Sequence, residues 1–106
     1  MLPGFRRRSA ARTARVLRYR AAPQVVSACQ GDRTILLDAR RGRYFGLDET
    51  GAEIWRLLGE DAPKGTTLTT LVDRMEESYA TSRDLLERDA TEFVARLRRA
   101  RLVVSA

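Results

Sequence analysis

Side chains able to carry out chemistry are few in this sequence. It contains no histidine and a single cysteine, Cys29. Without histidine the chain lacks the usual general base and the commonest metal ligand. No cysteine–histidine nucleophile pair can form, and a zinc site would have too few ligands. Cys29 falls in an apolar segment, so we expect a small buried residue and not a reactive thiol. The sequence predicts no metal and no cofactor.

The carboxylates do not identify an active site either. Most of the 14 acidic residues alternate with arginine along predicted helices, which is typical of a solvated helix face. The glycines form neither a P-loop nor a dinucleotide-binding fingerprint. A small enzyme would therefore need a carboxylate site that no motif marks. The sequence predicts no catalytic residue and no enzymatic activity.

The positive charge of the chain lies at its N-terminus. Seven of the 20 basic residues are arginines among residues 1–20, which contain no acid, whereas the other 86 residues hold 13 basic and 14 acidic groups. We expect residues 1–22 to be a flexible basic extension and residues 23–106 to be one folded domain. A nucleic-acid-binding arm, an anchor for an acidic surface and a transit peptide share this composition. No apolar run is long enough to cross a bilayer, so no membrane association is predicted.

Three strands followed by three helices are predicted along the domain. The strands are Gln24–Cys29, Thr34–Asp38 and Arg43–Leu47, joined by two short turns as an antiparallel meander. Thr50 and Glu53 have the spacing of a capping box at the start of the first helix. The other helices begin near Thr67 and at Thr81 or Ser82, the last one runs to about Ala100, and Leu102–Val104 is expected to fold back onto the core. This order predicts an α+β, winged-helix-like domain with a three-stranded antiparallel sheet.

The aromatic residues of the third strand indicate an interaction. Tyr44 and Phe45 are adjacent, so one can enter the core while the other faces outward. An edge strand with an outward aromatic side chain suits strand addition, in which a peptide extends the sheet. Gly46 interrupts this strand, and a close backbone approach, a bulge or a bulky neighbour would each explain it. Trp55 and Tyr79 lie at helical spacing beside leucine or methionine, so we expect them in the core.

The segment around the third strand, "LLDARRGRYFGLDETGAEIWRLL", resembles the PqqD-like family. Members of this family are recognition elements for ribosomally synthesised and post-translationally modified peptides (RiPPs). The resemblance extends over about residues 24–104, including "LTTLVDRMEESY" and "RDATEFVARLRRARLV". The matching motif positions are Tyr44, Phe45, Leu47, Asp48, Thr50, Gly51, Ile54 and Trp55. The sequence is most similar to the stand-alone leader-binding half of the split lasso-peptide B protein.

The resemblance implies binding without catalysis, in the bacterial cytoplasm. The precursor's leader peptide would add as an antiparallel strand beside the third strand, in a cleft under the third helix. The implied partners are the leader peptide, the leader-cleaving cysteine protease that forms the other half of protein B, and the ATP-dependent lasso cyclase. The implied leader-binding residues are Arg43, Tyr44, Phe45, Gly46 and Leu47 on the strand, with Leu85, Leu86, Asp89, Ala90, Phe93 and Val94 on the third helix.

Two other binding functions remain open from the sequence. One is a recognition element that serves a different RiPP-modifying enzyme. The other is a winged-helix DNA-binding protein, which the predicted fold and the basic extension favour. Against DNA binding, the folded part has a net charge near zero and its third helix alternates arginine with acids, whereas a groove-reading helix presents a denser basic face. Nucleic acid is therefore not an expected partner.

Overall fold

The computed structural model describes residues 17–105, which form five strands and three helices. The strands are β1 (Tyr19–Ala21), β2 (Val25–Gln30), β3 (Arg33–Asp38), β4 (Arg43–Leu47) and β5 (Val103–Ser105). The helices are α1 (Glu49–Leu58), α2 (Leu68–Glu76) and α3 (Arg83–Arg99), with a 3₁₀ turn at Gly59–Asp61. The three predicted strands are β2, β3 and β4, and the three predicted helices follow them. The predicted α+β fold is therefore confirmed.

The main sheet is an antiparallel meander in the order β2-β3-β4. Two tight turns connect its strands, and each contains a glycine with positive φ, Gly31 at 68° and Gly42 at 67°. Glycine adopts this left-handed conformation without the steric cost that a side chain brings. The pairing between β3 and β4 places Leu36 opposite Phe45 and Ile35 opposite Gly46.

The helices begin at side chains that cap them. Thr67 and Ser82 accept hydrogen bonds from the amides of Thr70 and Leu85, so the predicted starts of α2 and α3 are confirmed. The predicted capping box at the start of α1 is wrong. Asp48 caps this helix instead, because its backbone is extended and its Oδ1 accepts from the Gly51 amide at 2.7 Å. An aspartate at this position satisfies one of the free amides of the first turn.

The core lies between the inner face of the sheet and the three helices. Leu36, Ile54, Leu71, Met75 and Leu102 are among its fully enclosed members. Trp55 and Tyr79, for which we predicted core packing, are half-buried and pack against this cluster. The apolar stripe of each helix thus faces the core as its 3.6-residue period predicts.

A second, two-stranded sheet was not predicted. β1 pairs antiparallel with β5, with Tyr19 opposite Ser105 and Ala21 opposite Val103. The backbone of Tyr19 also exchanges hydrogen bonds with Thr66. Tyr19 and Ala22 are buried, so residues 19–22 of the predicted N-terminal extension lie inside the folded body. Residues 1–16 of that extension lie outside the described residues. The predicted return of Leu102–Val104 onto the core is confirmed, since Leu102 and Val103 belong to the buried cluster.

Removing residues 1–22 is expected to destabilise the domain, whereas removing residues 1–16 preserves every contact described here. The longer deletion removes β1 and the buried Tyr19 ring, and loss of one buried aromatic side chain costs about 3–5 kcal/mol. Urea unfolding of the two truncated proteins measures this difference. Equal free energies of unfolding would show that β1 contributes nothing to the fold.

Cys29 is exposed, and the prediction that it is a buried residue is wrong. β2 forms the outer edge of the sheet, and its residues from Val26 to Gln30 are all exposed. Of the helices, α1 packs against β3 and β4, so an apolar side chain on β2 gains little burial. Among residues 17–105 no helix is long and apolar enough to cross a membrane.

Candidate functional site

The free edge of β4 borders a groove. Within residues 17–105, β4 pairs with β3 on one side only, so its other side carries unpaired main-chain groups. Helix α3 runs beside this edge, and a groove of about 480 Å³ lies between them. The residues that line it are Arg33, Phe45, Gly46, Leu47, Asp48, Phe93, Arg96, Leu97 and Ala100.

The floor of the groove is apolar because two sequence periods meet there. Phe45 and Leu47 alternate along β4 and point toward α3, whereas Tyr44 points to the opposite face and is 73% exposed. On α3, Phe93, Leu97 and Ala100 are spaced by four and three residues, which places them on one face. The groove therefore has apolar walls from both elements, with unpaired backbone at its rim.

An arginine side chain spans one end of the groove. The Arg43 guanidinium lies 5.2 Å from the centroid of the Phe45 ring and donates a hydrogen bond of 3.0 Å to the carbonyl of Ala100. A cation at this position also complements the negative end of the α3 dipole. Arg43 thus ties the start of β4 to the end of α3 and fixes the width of the groove at this end.

The buried side chain of Asp38 holds the turn between β3 and β4 in place. Its side chain is fully buried, and its Oδ1 accepts hydrogen bonds from the amides of Arg40 and Arg41 at 3.1 Å each. Burial alone would raise the pKa of Asp38, but the hydrogen bonds from Arg41 and Arg40 outweigh it and hold the pKa below its ordinary value. The ionised carboxylate therefore anchors the turn that leads into β4.

The other end of the groove opens into a smaller, more polar concavity of about 280 Å³ between the start of α1 and α3. Phe93 borders both spaces, together with Asp48 and Arg96. The ring of Phe93 fits here because Gly51 has no side chain. A Cβ at residue 51 would lie 2.9 Å from Cε1 of Phe93, which is closer than two carbon atoms can approach without a shift. Gly51 therefore lets Phe93 form a shared wall of the two spaces.

The predicted strand residues lie together at this edge, but the predicted helix residues divide into groups. Phe93 lines the groove and Asp89 lines the adjoining concavity. Leu86, Ala90 and Val94 are buried in the core, because they lie on the face of α3 turned toward the other helices and the sheet. The remaining predicted residue, Leu85, is 42% exposed and does not line the groove.

Sequence reasoning missed three residues of α3 that line the groove: Arg96, Leu97 and Ala100. A signal for them was present, since they continue the stripe of Phe93 by three, four and seven residues. Arg33 lines the groove from β3, and no pattern in the sequence indicated it.

Of the three explanations that the sequence left open for Gly46, the structure excludes a bulge. Its strand continues without a bulge, and a Cβ there would meet only the Arg33 guanidinium, at 3.7 Å.

The arrangement suits binding of an extended chain. Unpaired backbone groups along β4 can form a ladder with an added strand, and the apolar floor can receive alternate side chains of that strand. Among residues 17–105, no cluster of three or more potential metal ligands is found. The single thiol, Cys29, lies on β2, which is separated from the groove edge by β3.

Comparisons with known proteins agree with this geometry. No curated protein matches the chain. Two solved structures share its fold. One is TbiB1 in complex with the TbiA(beta) leader peptide, which is 34% identical with a TM-score of 0.69, over 79% of this chain and 93% of that one. The other is a lasso peptide synthetase B1 complexed with its leader peptide, which is 24% identical with a TM-score of 0.71, over 82% of this chain and 98% of that one.

The family model described as coenzyme PQQ synthesis protein D (PqqD) matches residues 33–103. This range begins with β3 and runs through β4 and all three helices to the start of β5, so it contains every residue that lines the groove. The family resemblance that the β4–α1 motif predicted is thereby confirmed, and the chain belongs to the PqqD family.

Proposed function

We propose that the protein binds the leader peptide of a ribosomally made precursor as an additional antiparallel strand along the free edge of β4. The observation that carries this proposal is the unpaired edge of β4 facing an apolar groove under α3. The likeness to TbiB1, whose structure contains a leader peptide, supports the same ligand class. The leader then pairs with the backbone of Arg43–Leu47 and contacts the side chains of Phe45 and Leu47 on the strand and Phe93, Arg96, Leu97 and Ala100 on the helix.

In this mechanism the backbone and the side chains of the leader have different roles. Main-chain hydrogen bonds fix the register of the leader and carry little sequence preference, whereas side chains entering the groove supply selectivity. Each apolar side chain that becomes buried contributes roughly 1.5–3 kcal/mol before ordering costs. A disordered leader loses conformational entropy on binding, so moderate affinity is expected.

The protein itself then serves as an adaptor. We propose that it presents the precursor to a separate leader peptidase in the biosynthesis of a lasso peptide, with the cyclase acting on the released core. Holding the leader raises the effective concentration of the precursor at the peptidase without any catalytic group on this chain. If the protein serves a different RiPP-modifying enzyme, it binds the leader in the same groove, and only the partner enzyme differs.

A fluorescence titration tests the proposal. The full-length protein is titrated against a labelled synthetic peptide with the leader sequence of the precursor gene beside its own, and against labelled duplex DNA. We expect saturable peptide binding that persists at moderate salt, because the groove is apolar, and weak DNA binding. Absence of peptide binding together with steeply salt-dependent DNA binding would overturn the proposal in favour of a DNA-binding protein.

A further inference from the structure

A second concavity, of about 440 Å³, lies beside the turn that leads into β4. It is formed by residues 22–24 between β1 and β2, the turn between β3 and β4, the end of α3 with the residue Arg101 after it, and β5. Four arginines line it: Arg40, Arg41, Arg98 and Arg101. Among residues 17–105 no carboxylate lines it, so the charged side chains described there are all positive.

Most of these arginines lack an ionic partner within the described chain. Arg41 lies 3.3 Å from the Asp38 carboxylate. No carboxylate of residues 17–105 lies within ion-pair distance of Arg40, Arg98 or Arg101. Like charges around one depression raise its local potential, and an anion placed there would lower it.

The backbone at Arg101 gives a second, independent indication. Arg101 has a φ of 65°, and it follows the C-cap of α3, where Leu102 donates a hydrogen bond back to the carbonyl of Leu97. Glycine is the usual residue at this left-handed position, because a side chain there carries a steric cost. The protein accepts this cost at a position whose side chain borders the arginine-lined concavity.

The concavity lies close to the Arg43 end of the groove, although the two spaces share no lining residue. Arg43 is hydrogen-bonded to Ala100, and the concavity's Arg41 and Arg101 are near neighbours of these two residues in the sequence. A peptide antiparallel to β4 passes from Leu47 toward Arg43. Its next residues therefore leave the groove beside Arg41 and Arg101.

We propose that this arginine-lined concavity binds aspartate or glutamate side chains in the precursor segment that follows the strand paired with β4. The inference rests on the proposed function, since that function sets the direction of the bound peptide. Carboxylates fit the guanidinium geometry and can be bound bidentately. The alternative anion, nucleic-acid phosphate, is disfavoured because the chain after Arg20 carries one more acid than base.

The test uses one labelled leader peptide with three different C-terminal extensions: Glu-Asp-Glu, Gln-Asn-Gln and Lys-Arg-Lys. We expect the full-length protein to bind the acidic extension about fivefold more tightly than the neutral one at low salt, the range for a few exposed ion pairs. This preference should diminish as salt is added, and the basic extension should bind least tightly.

Two variants connect the preference to the concavity. Arg40→Glu combined with Arg101→Glu should remove the preference for the acidic extension, whereas the control Arg99→Glu, on an exposed residue that does not line the concavity, should retain it. Arg101→Gly provides a variant that removes one arginine without destabilising the fold. It should raise the melting temperature, because it relieves the left-handed backbone, while lowering the preference by about half.

The outcomes separate this inference from the proposed function. Equal binding of all three extensions by the wild type would overturn the inference and leave leader binding intact. Failure to bind any of the peptides would overturn the proposed function itself. Duplex DNA binding that is lost in the double variant, with no effect of the peptide extension, would assign the concavity to nucleic acid and overturn the inference.

Discussion

Replacement of Phe45 by aspartate is expected to weaken leader binding by about 10- to 100-fold, while the protein stays folded. Phe45 is half-buried and lines the groove, so the leader would lose an apolar wall and meet a carboxylate instead. Loss of one apolar burial of roughly 1.5–3 kcal/mol corresponds to this factor. The leader-peptide titration measures the affinity, and circular dichroism confirms the fold.

The adjacent residue supplies the matched control. Tyr44 lies on the same strand, is also aromatic and is 73% exposed on the opposite face. Tyr44→Asp places the same charge one residue away without entering the groove, and we expect less than a threefold change in affinity, as for an exposed substitution outside the contact. Equal losses in the two variants would argue that the leader does not use the α3 side of β4. Leu47→Asp is unsuitable, because Leu47 belongs to the core.

The elements that the sequence predicted well are those whose pattern is local. β4 was predicted with its observed bounds, since alternation of Tyr44 and Phe45 between two turns identifies a strand. α2 was predicted from its apolar stripe, and the start of α3 from a cap at Thr81 or Ser82, which needs only the following turn to act. Asp48 was passed over as a cap because Thr50 and Glu53 have capping-box spacing, although an aspartate three residues before an amide serves the same purpose.

The features that were missed depend on contacts between distant parts of the chain. β1 and β5 have three residues each, which is too short for a periodic signal. The residues that they pair, such as Tyr19 and Ser105, lie near opposite ends of the domain's sequence. Cys29 was misplaced for a related reason. Its segment alternates like a buried strand, but burial also requires that a helix reach it, and sequence periodicity does not report how far a helix reaches.

The candidate site shows the same division. Its strand half follows from the family motif, which runs from β4 into the first turns of α1. Its helix half depends on the rotation of α3 about its own axis, and two overlapping stripes fit that helix equally well. Leu86, Ala90 and Val94 lie in the core and do not line the groove, whereas Phe93 belongs to the core and also faces β4 with Arg96 and Ala100. Only packing against the sheet decides between them.

Backbone methylation of the leader tests strand addition itself, with the protein unchanged. A methyl group on a peptide nitrogen removes the donor and blocks close approach at that point. In an antiparallel ladder, only alternate residues of the added strand direct their N–H and C=O groups toward β4. A series of leader peptides, each N-methylated at one successive residue, should therefore show affinity losses with a period of two.

The expected loss is about tenfold or more at each residue paired with β4, because a hydrogen bond disappears and the β4 group opposite it is left unsatisfied. The intervening residues direct their amides to solvent and serve as internal controls, with small changes. A shift of the leader by one residue exchanges the residues that pair with β4. It also exchanges the side chains that enter the groove beside Phe93 and Leu97, so the two registers can be told apart. Losses that follow a 3.6-residue period would instead indicate a helical leader lying in the groove, and uniform small losses would indicate binding without any backbone pairing to β4.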